Sequence, residues 1–479
     1  MVRYAYIVSL VAVWTGVVSA QTTLPPFTAS DRVIIVAPHP DDEVLGAGGA
    51  IQQALAAGAD VRVIYLTNGD HNQVAFKLYK HALHLNARDY LAFGERRRKE
   101  ATAATSSLGL VPDHLTFLGY PDWGTLTMWR DYWESGDVFR SDATQASAVP
   151  YKDAFDYQAS YKPQNIETDF VRLFREFKPT KVFVTHPADT NRDHRAAANF
   201  VRLALLDVEG EGVRPEVFYY VVHFGHWTRP YHYHPELELQ PPRALLNNGN
   251  WMNLSLTPQQ TENKHTAILL NRTQTTYGQY FLVSLARANE VFAAMPIETI
   301  PRVPADVAVD WRKAVRNKAI PAITEEIPDS VNAEPGTPPS EESIAIDHTD
   351  FLRQGSDLIA QIELKNRLGK RTNVHLLLFG YKRGVTFATL PKVNINITPL
   401  GALHVYVDGR RVLGHGATVT SVANRFFVRV PLRMLGGDDI DAVFTCTRAH
   451  LGEIAVDDTA WQLFELRGNQ TETVRRDPS

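Results

Sequence analysis

The chain has 479 residues, 44% of them hydrophobic and 21% charged, with a formal net charge of -4. That balance suits a soluble globular protein and leaves no large basic field for nucleic acid. Cys446 is the sole cysteine, so no intrachain disulfide exists, and one thiol in so long a chain fits an oxidising compartment.

Residues 1–20 read as a processing segment. Arg3 supplies the charged end, Tyr4 to Val13 is an apolar run too short to span a bilayer, and Val18-Ser19-Ala20 resembles a cleavage site before Gln21. The expectation is a secreted, extracytoplasmic protein with no membrane span after cleavage; the alternative, given the single Arg at the charged end, is an uncleaved anchor. Sequons at Asn253, Asn271, Asn396 and Asn469 matter only in a host that glycosylates secreted proteins.

Val33 to Ala37 is β-branched and apolar without alternation, the pattern of a strand buried on both faces in a parallel sheet. At its carboxyl end stand His39 between two prolines, then Asp41, Asp42 and Glu43, then a Gly-spaced helix that Gly58 ends. Open α/β sheets hold ligands at that end of their strands. His39 and Asp42, three apart, share one side of a first helical turn and reach one metal ion. Asp41 faces another way, as the free carboxylate that metal-assisted hydrolysis needs for a general base.

Val61 to Leu66 reads as a second parallel strand with Thr67 to Asp70 at its ligand end, and Asn86 to Leu108 as a long helix. Arg97 and Glu100 share a face of that helix, where the plain reading is a solvated salt bridge. Leu115 to Leu118 is a third strand, followed by the turn Gly119 to Trp123. Residues 124–162 look like an inserted loop whose aromatics either stack on a sugar or pack. A helix over Ile166 to Phe177 and a strand over Lys181 to Thr185 lead to the stretch from His186 to His194. Asp193 lies in the first turn of the next helix, where an acid favours the dipole, and His194 faces back toward the strand ends. With His39 and Asp42 this makes two imidazoles and one carboxylate, the composition of a catalytic zinc site with positions open to water and substrate.

The motifs PHPDDE and DHRAA resemble the paired signatures of the LmbE-like, or PIG-L, deacetylases, which remove acetyl groups from N-acetylglucosamine-bearing molecules. Weaker matches at Arg97 to Glu100, Gly119 to Asp122, the Lys264-Ala267-Gln274 spacing and Asn289 to Phe292 extend the resemblance over about residues 30–296. It implies an α/β fold, a Rossmann-like, mostly parallel sheet with helices on both faces. It also implies one zinc ion, or another divalent metal such as Fe2+, on His39, Asp42 and His194. Asp41 would be the general base, with Arg97 and Asp122 touching the sugar. In one respect the chain departs from the family. A histidine usually stands three residues before the zinc-binding one, and here that position is Asn191, whose amide can donate to an oxyanion but cannot act as a general acid near neutral pH. His223 ends the strand pattern Val217 to Val222, ahead of His226 and the run from Tyr231 to His234. It is expected to take the acid role, unless these histidines merely line an aromatic loop. Asp41, Asn191, Asp193 and His223 are thus the expected catalytic group.

The catalytic unit spans about residues 28–300, and the Pro- and acid-rich residues 301–343 read as a linker. Residues 344–470 carry short strands at Leu358 to Leu364, Val374 to Phe379, Leu403 to Val407, Phe426 to Val430 and Trp461 to Leu466, with a hairpin turn at Asp408-Gly409. An all-β, sandwich-like accessory domain is expected, with a barrel as the alternative. The function expected is zinc-dependent removal of the N-acetyl group from an amino-sugar glycan or glycoconjugate. One alternative is a metal-containing glycan-binding protein without catalysis, made thinkable by Asn191. A weaker one is a non-haem iron oxygenase on His39, Asp41 and His194, a site that belongs on all-β folds. Gly46-Ala47-Gly48-Gly49 lacks the spacing of a dinucleotide loop.

Overall fold

The computed structural model describes residues 22–72, 76–77, 84–133, 136–225, 227–318, 346–366, 372–398, 401–451 and 454–467. The processing segment, His226, Asn469 and residues 319–345 of the expected linker region lie outside them.

Among the described residues the first unit contains, in chain order, β1 (Thr22–Thr23), β2 (Arg32–Ala37), α1 (Asp42–Ala56), β3 (Asp60–Thr67), α2 (Ala87–Ser107) and β4 (Leu115–Tyr120). There follow α3 (Thr125–Asp131), α4 (Pro163–Phe177), β5 (Lys181–Thr185), α5 (Arg192–Glu209), β6 (Glu216–Tyr220), β7 (Asn250–Ser255), α6 (Pro258–Leu270), α7 (Arg272–Leu282) and β8 (Asn289–Ala294). The sheet order is β1-β7-β8-β6-β5-β2-β3-β4. From β6 to β4 neighbours run parallel, whereas β8 is antiparallel to both β6 and β7, so the sheet is mixed. Every residue of β5, and all of β2 after Arg32, is buried, which explains apolar runs without alternation. Strand order turns back between β2 and β5, and in such sheets the crevice at the carboxyl ends of that pair receives the ligand.

Helix α1 is broken at Ala47, where φ is -140°. The break leaves Gly49 and Ala50 N–H without helical partners, and both donate to the Glu290 carboxylate, at 2.7 and 3.0 Å. Lys264 Nζ, 2.7 Å from the same carboxylate and equally buried, neutralises it. Gly46 is required by close approach, since a Cβ there would lie 2.0 Å from the Tyr220 ring. These contacts give structural reasons for Gly46, Lys264 and Glu290.

The strand-rich region comprises β9 (Glu298–Thr299), β10 (Arg302–Val303), β11 (Val315–Lys318), β12 (Ile346–Gln354), β13 (Asp357–Leu364), β14 (Thr372–Tyr381) and β15 (Lys392–Ile397). It continues with β16 (Leu403–Val407), β17 (Arg410–Val412), β18 (Thr418–Val422), β19 (Arg425–Pro431), β20 (Ala442–Leu451), β21 (Ile454–Asp458) and β22 (Gln462–Glu465). One sheet runs β10-β12-β13-β19-β18, with β11 also on β12; the other runs β17-β16-β15-β14-β20-β22-β9, with β21 on β20. Ile362 and Val428 of the first share a core with Leu376 and Val443 of the second. The β16-β17 hairpin turns at Asp408 and Gly409 with φ of 50° and 73°, both positive as a type I′ turn requires. The expected linker boundary needs correction. Residues from 298 to 318 already contribute short strands, β9 on β22 and both β10 and β11 on β12. Short edge strands tolerate the flanking prolines that suggested a linker.

The two units share one core. Trp129 of α3 packs its ring against Trp133 and Phe200 from the first unit and Phe379, Phe387, Phe444 and Trp461 from the strand-rich region, at centroid distances of 5.0 to 6.2 Å. These two tryptophans of the inserted stretch therefore pack. Asn271, at 2% exposure, is closed to glycosylation in the folded chain.

At the amino ends of the strands, Asp31 Oδ1 accepts from Lys181 Nζ at 2.6 Å and Thr180 Oγ1 at 2.9 Å, and Oδ2 accepts from Thr28 N at 2.8 Å, tying β2 to β5. Burial alone would raise this carboxyl, but its donors hold it at about 2. A folded value below the unfolded one gives stability that is full above the unfolded pKa and lost as pH falls through the folded one. Lowering this carboxyl from 3.8 to about 2 corresponds to about 2.4 kcal/mol. Asp31→Asn should accordingly destabilise by roughly 2 kcal/mol at pH 7, and the gap should shrink to about half at pH 3. Denaturant unfolding at the two pH values measures this; a gap independent of pH contradicts it.

Candidate metal centre

Beyond β2 the chain turns sharply through Pro38, His39 and Pro40. Asp41 then takes φ 129°, in the left-handed half of the map where a side chain is strained, and α1 starts at Asp42. The turn sends two consecutive carboxylates to different partners. Asp42 Oδ2 accepts from His39 N at 2.9 Å and lies 3.2 Å from His39 Nδ1 and 3.1 Å from His194 Nε2. The two ring nitrogens are 3.3 Å apart. Ligands at 2.0–2.1 Å from a tetrahedral ion stand about 3.3–3.4 Å from one another, which is this triangle.

The far side of each imidazole meets carboxylates. His39 Nε2 is 3.2 Å from Asp122 Oδ1 and 3.3 Å from Asp193 Oδ2, while His194 Nδ1 is 3.3 Å from Asp189 Oδ2. Such partners assign the ring protons to the outer nitrogens and turn both lone pairs toward Asp42, as in carboxylate–histidine–metal arrangements. The acid-rich shell also draws positive charge. Burial lowers both rings, yet Asp122 takes His39 well above its usual range, and Asp42 with Asp189 takes His194 up to about 9. A divalent cation answers the same field in place of protons, so the residues fit such an ion. A second grouping, His39 with Asp122 and Asp193, fits less well. Asp193 already accepts from Trp123 N at 2.6 Å and Thr125 N at 3.1 Å, and Asp122 Oδ2 from His71 N at 2.7 Å.

Asp41 lies beside the triangle, with Oδ2 3.3 Å from the Arg97 guanidinium. Burial pushes its carboxyl up to about 7, Arg97 opposing and Asp42 reinforcing. Arg97 also donates to Gly69 O and Pro40 O, each at 2.8 Å, and is buried. A solvated Arg97–Glu100 bridge is therefore ruled out. Glu100 instead accepts from Arg96 Nε at 3.0 Å and Thr273 Oγ1 at 2.7 Å, because the helix turns Arg97 into the sheet edge. The contacts of Arg97 and Asp122 hold Asp41 and His39 in place.

Asn191 caps α5, its Oδ1 accepting from Asp193 N at 2.9 Å, a local reason for an amide at that position. His223 follows β6 on the same sheet edge, its ring centroid 5.1 Å from that of His194 and 5.8 Å from Phe281. Asp189 escaped the sequence reading. Its carboxylate accepts from Asn191 N, Val222 N and His223 N, each at 2.9 Å, besides facing His194, and so clamps the loops after β5 and β6 together. Its one signal was an acid between a strand end and a helix histidine. His186, by contrast, is a core residue, stacked on Trp251 and pushed down to about 3 by burial.

The family model PIG-L, described as GlcNAc-PI de-N-acetylase, matches residues 34–205. A 1D-myo-inositol 2-acetamido-2-deoxy-alpha-D-glucopyranoside deacetylase of Mycobacterium sp. (strain KMS) is 30% identical over 198 residues, covering 40% of this chain and 54% of that protein. The protein of that name from Rhodococcus opacus (strain B4) is 44% identical over 182 residues, with coverages of 38% and 54%. The chain thus spans about half the length of the curated relatives it matches. Among solved structures, N,N'-diacetylchitobiose deacetylase from Pyrococcus horikoshii is 19% identical with a TM-score of 0.34, covering 56% of this chain and 84% of that one. Residues 34–205, which hold every residue of the triangle, thus match the PIG-L family model.

Proposed function

We propose that the chain is a secreted, zinc-dependent hydrolase that removes the acetyl group from N-acetylglucosamine-type sugars or glycoconjugates, on a Rossmann-like scaffold with a sandwich-like accessory unit. The observation that carries this reading is the triangle of His39 Nδ1, Asp42 Oδ2 and His194 Nε2, with edges of 3.1 to 3.3 Å and Asp41 beside it. The deacetylase names of the matched relatives support the substrate class.

His39, Asp42 and His194 hold the ion, and Asp122, Asp193 and Asp189 keep the two rings in the ligating tautomer. When bound, zinc supplies Lewis acidity that acidifies water and polarises the amide carbonyl. Asp41, with a carboxyl near 7, accepts the proton of the attacking water at neutral pH, while Arg97 keeps that carboxylate turned and charged. The water oxygen forms the new bond to the acyl carbon, the C–N bond breaks, and the amine leaves with a proton from His223. The products are acetate and the free amino sugar. Asn191 spends its carbonyl on the cap, so its contribution to an oxyanion is limited to the amide nitrogen.

Acetate release from N-acetylglucosamine oligosaccharides, measured with metal analysis, tests the reading. A chelator should abolish release and zinc should restore it; zinc-loaded protein that frees no acetate from any N-acetylhexosamine would overturn it. Asp41→Asn should retain the metal and lose about 10²–10⁴ in turnover, whereas His194→Ala should lose the metal itself. Equal zinc content in the two variants contradicts the ligand set. His223→Ala should keep zinc and lower turnover by about 10²-fold, with a changed alkaline limb of the pH profile. An unaltered profile in that folded variant removes the acid role.

A further inference from the structure

Helix α5 carries His194 in its first turn and is held from two sides. Toward the sheet of the first unit, Thr185 Oγ1 of β5 donates to His194 O at 2.8 Å. Toward the strand-rich region it presents Arg195, Arg202 and Glu209, spaced by seven residues, which is about 20° short of two full turns and so keeps them on one face. All three bond to that region. Arg195 Nη2 donates to Asp458 Oδ1 of β21 at 2.9 Å, Arg202 Nη1 donates to Trp461 O at 3.2 Å, and Glu209 accepts from Arg383 just beyond β14.

The contact nearest the metal centre is also more deeply buried than the one at the far end of the helix. The side chains of Arg195 and Asp458 are 1% and 7% exposed, against 56% and 29% for Arg383 and Glu209. Asp458 itself is held firmly. Thr459, which follows it, accepts at Oγ1 from Thr447 N of β20 at 2.9 Å and from Asn317 Nδ2 of β11 at 3.1 Å. A side chain next to a ligand and clasped in this way fixes rotation about the helix axis. An imidazole nitrogen about 5–6 Å from that axis moves about 1 Å for a rotation of about 10°, several times the ±0.2 Å within which metal–ligand distances hold. His39 has a parallel link. Thr125 of α3 donates to Asp193, which lies 3.3 Å from His39 Nε2, and α3 carries Trp129, packed on Phe444 and Trp461.

We propose that the strand-rich region belongs to the framework of the metal centre, and that Arg195 and Asp458 are a positioning pair that holds His194 where it ligates. Neither residue touches the ion or the substrate; both act through His194. This rests on His39, Asp42 and His194 being the ligand set, and not on the reaction that follows.

The test uses the full chain, freed of metal and titrated with zinc against a competing chelator. Asp458→Asn should bind zinc about 10–100-fold more weakly, as removal of groups that orient metal ligands does, and the visible spectrum of cobalt(II) bound in place of zinc should change. Asp350→Asn is the control. It removes a similarly buried carboxylate, paired with Arg316 at 2.7 Å on the other sheet of the strand-rich region, and should leave zinc affinity within about twofold. Asp458→Asn leaves a buried guanidinium without its carboxylate, so a second variant combines Arg195→Met with Asp458→Leu. Apolar side chains in place of a buried ion pair preserve or raise stability, so its melting temperature should not fall, while zinc affinity still drops about tenfold. Unchanged zinc affinity in that folded double variant, or an equal loss in Asp350→Asn, overturns the proposal. Unaltered protein that binds no zinc overturns the ligand set and the proposal with it. Zinc binding that depends on the pair, in a protein that frees no acetate from any sugar, supports the pair and removes the deacetylase reading instead.

Discussion

The candidate site depends on one placement, the end of β2 beside the first turn of α5, close enough that His39 Nδ1 and His194 Nε2 stand 3.3 Å apart. Parallel pairing of β2 with β5 sets it, with Val33 opposite Lys181 and Ile35 opposite Phe183. At the amino ends the Asp31–Lys181 pair holds the same two strands. At the carboxyl ends no comparable ion pair joins them directly among the described residues, and carboxylates from neighbouring elements do the positioning. Asp122 arrives after β4, Asp189 after β5 and Asp193 from α5 itself. Each faces the outer nitrogen of an imidazole, so the inner nitrogens converge.

The strand-rich region bears on the same placement. Its aromatic side chains complete the packing around Trp129, and α3, which carries Trp129, is fixed at its start by Thr125 bonding to Asp193 through both its amide and its hydroxyl. Arg195, next to His194, reaches Asp458 of the strand-rich region at 2.9 Å with both groups buried. A buried ion pair of this kind adds little net stability, because desolvation offsets much of the attraction, but its geometry fixes the register of the parts it joins. The unit that follows residue 295 thus contributes to the immediate surroundings of α5, where His194 sits.

Much of this was legible in the chain, for physical reasons that also mark where reading stops. β2 and β5 announce themselves because burial on both faces demands uninterrupted apolar residues, and His39, Asp42 and His194 because metal ligands follow strand ends at short spacing. β7 and β8 were not recognised, since Asn250 to Ser255 and Asn289 to Ala294 mix amides, acids and small residues without a period of two. Arg97 and Glu100 look like a surface pair because spacing on a helix does not tell which face is covered. Glu290 shows its meaning only beside the broken turn of α1 that it caps. Asn191 was read as a lost acid, and its local role is that of a helix cap.

The strained residue connects fold to chemistry. A non-glycine side chain at φ 129° costs on the order of 1–3 kcal/mol, and Asp41 is held there by the prolines around His39, by Glu43 accepting its N–H at 3.0 Å, and by Arg97 gripping Pro40 O. A regular helix start would have set Asp41 and Asp42 about 100° apart around one axis, in similar surroundings. The turn sends them into different ones. Burial would raise Asp42, but charge and hydrogen bonds from His194 and His39 hold it well below the usual carboxylate range, while Asp41, equally buried, without those hydrogen bonds and beside the Asp42 charge, rises to about 7 despite Arg97. Two neighbouring carboxyls pushed apart in this way are suited to opposite tasks, one always charged as a ligand and the other able to take up and release a proton. The strain at Asp41 is thus the local means by which a repeated residue acquires two roles.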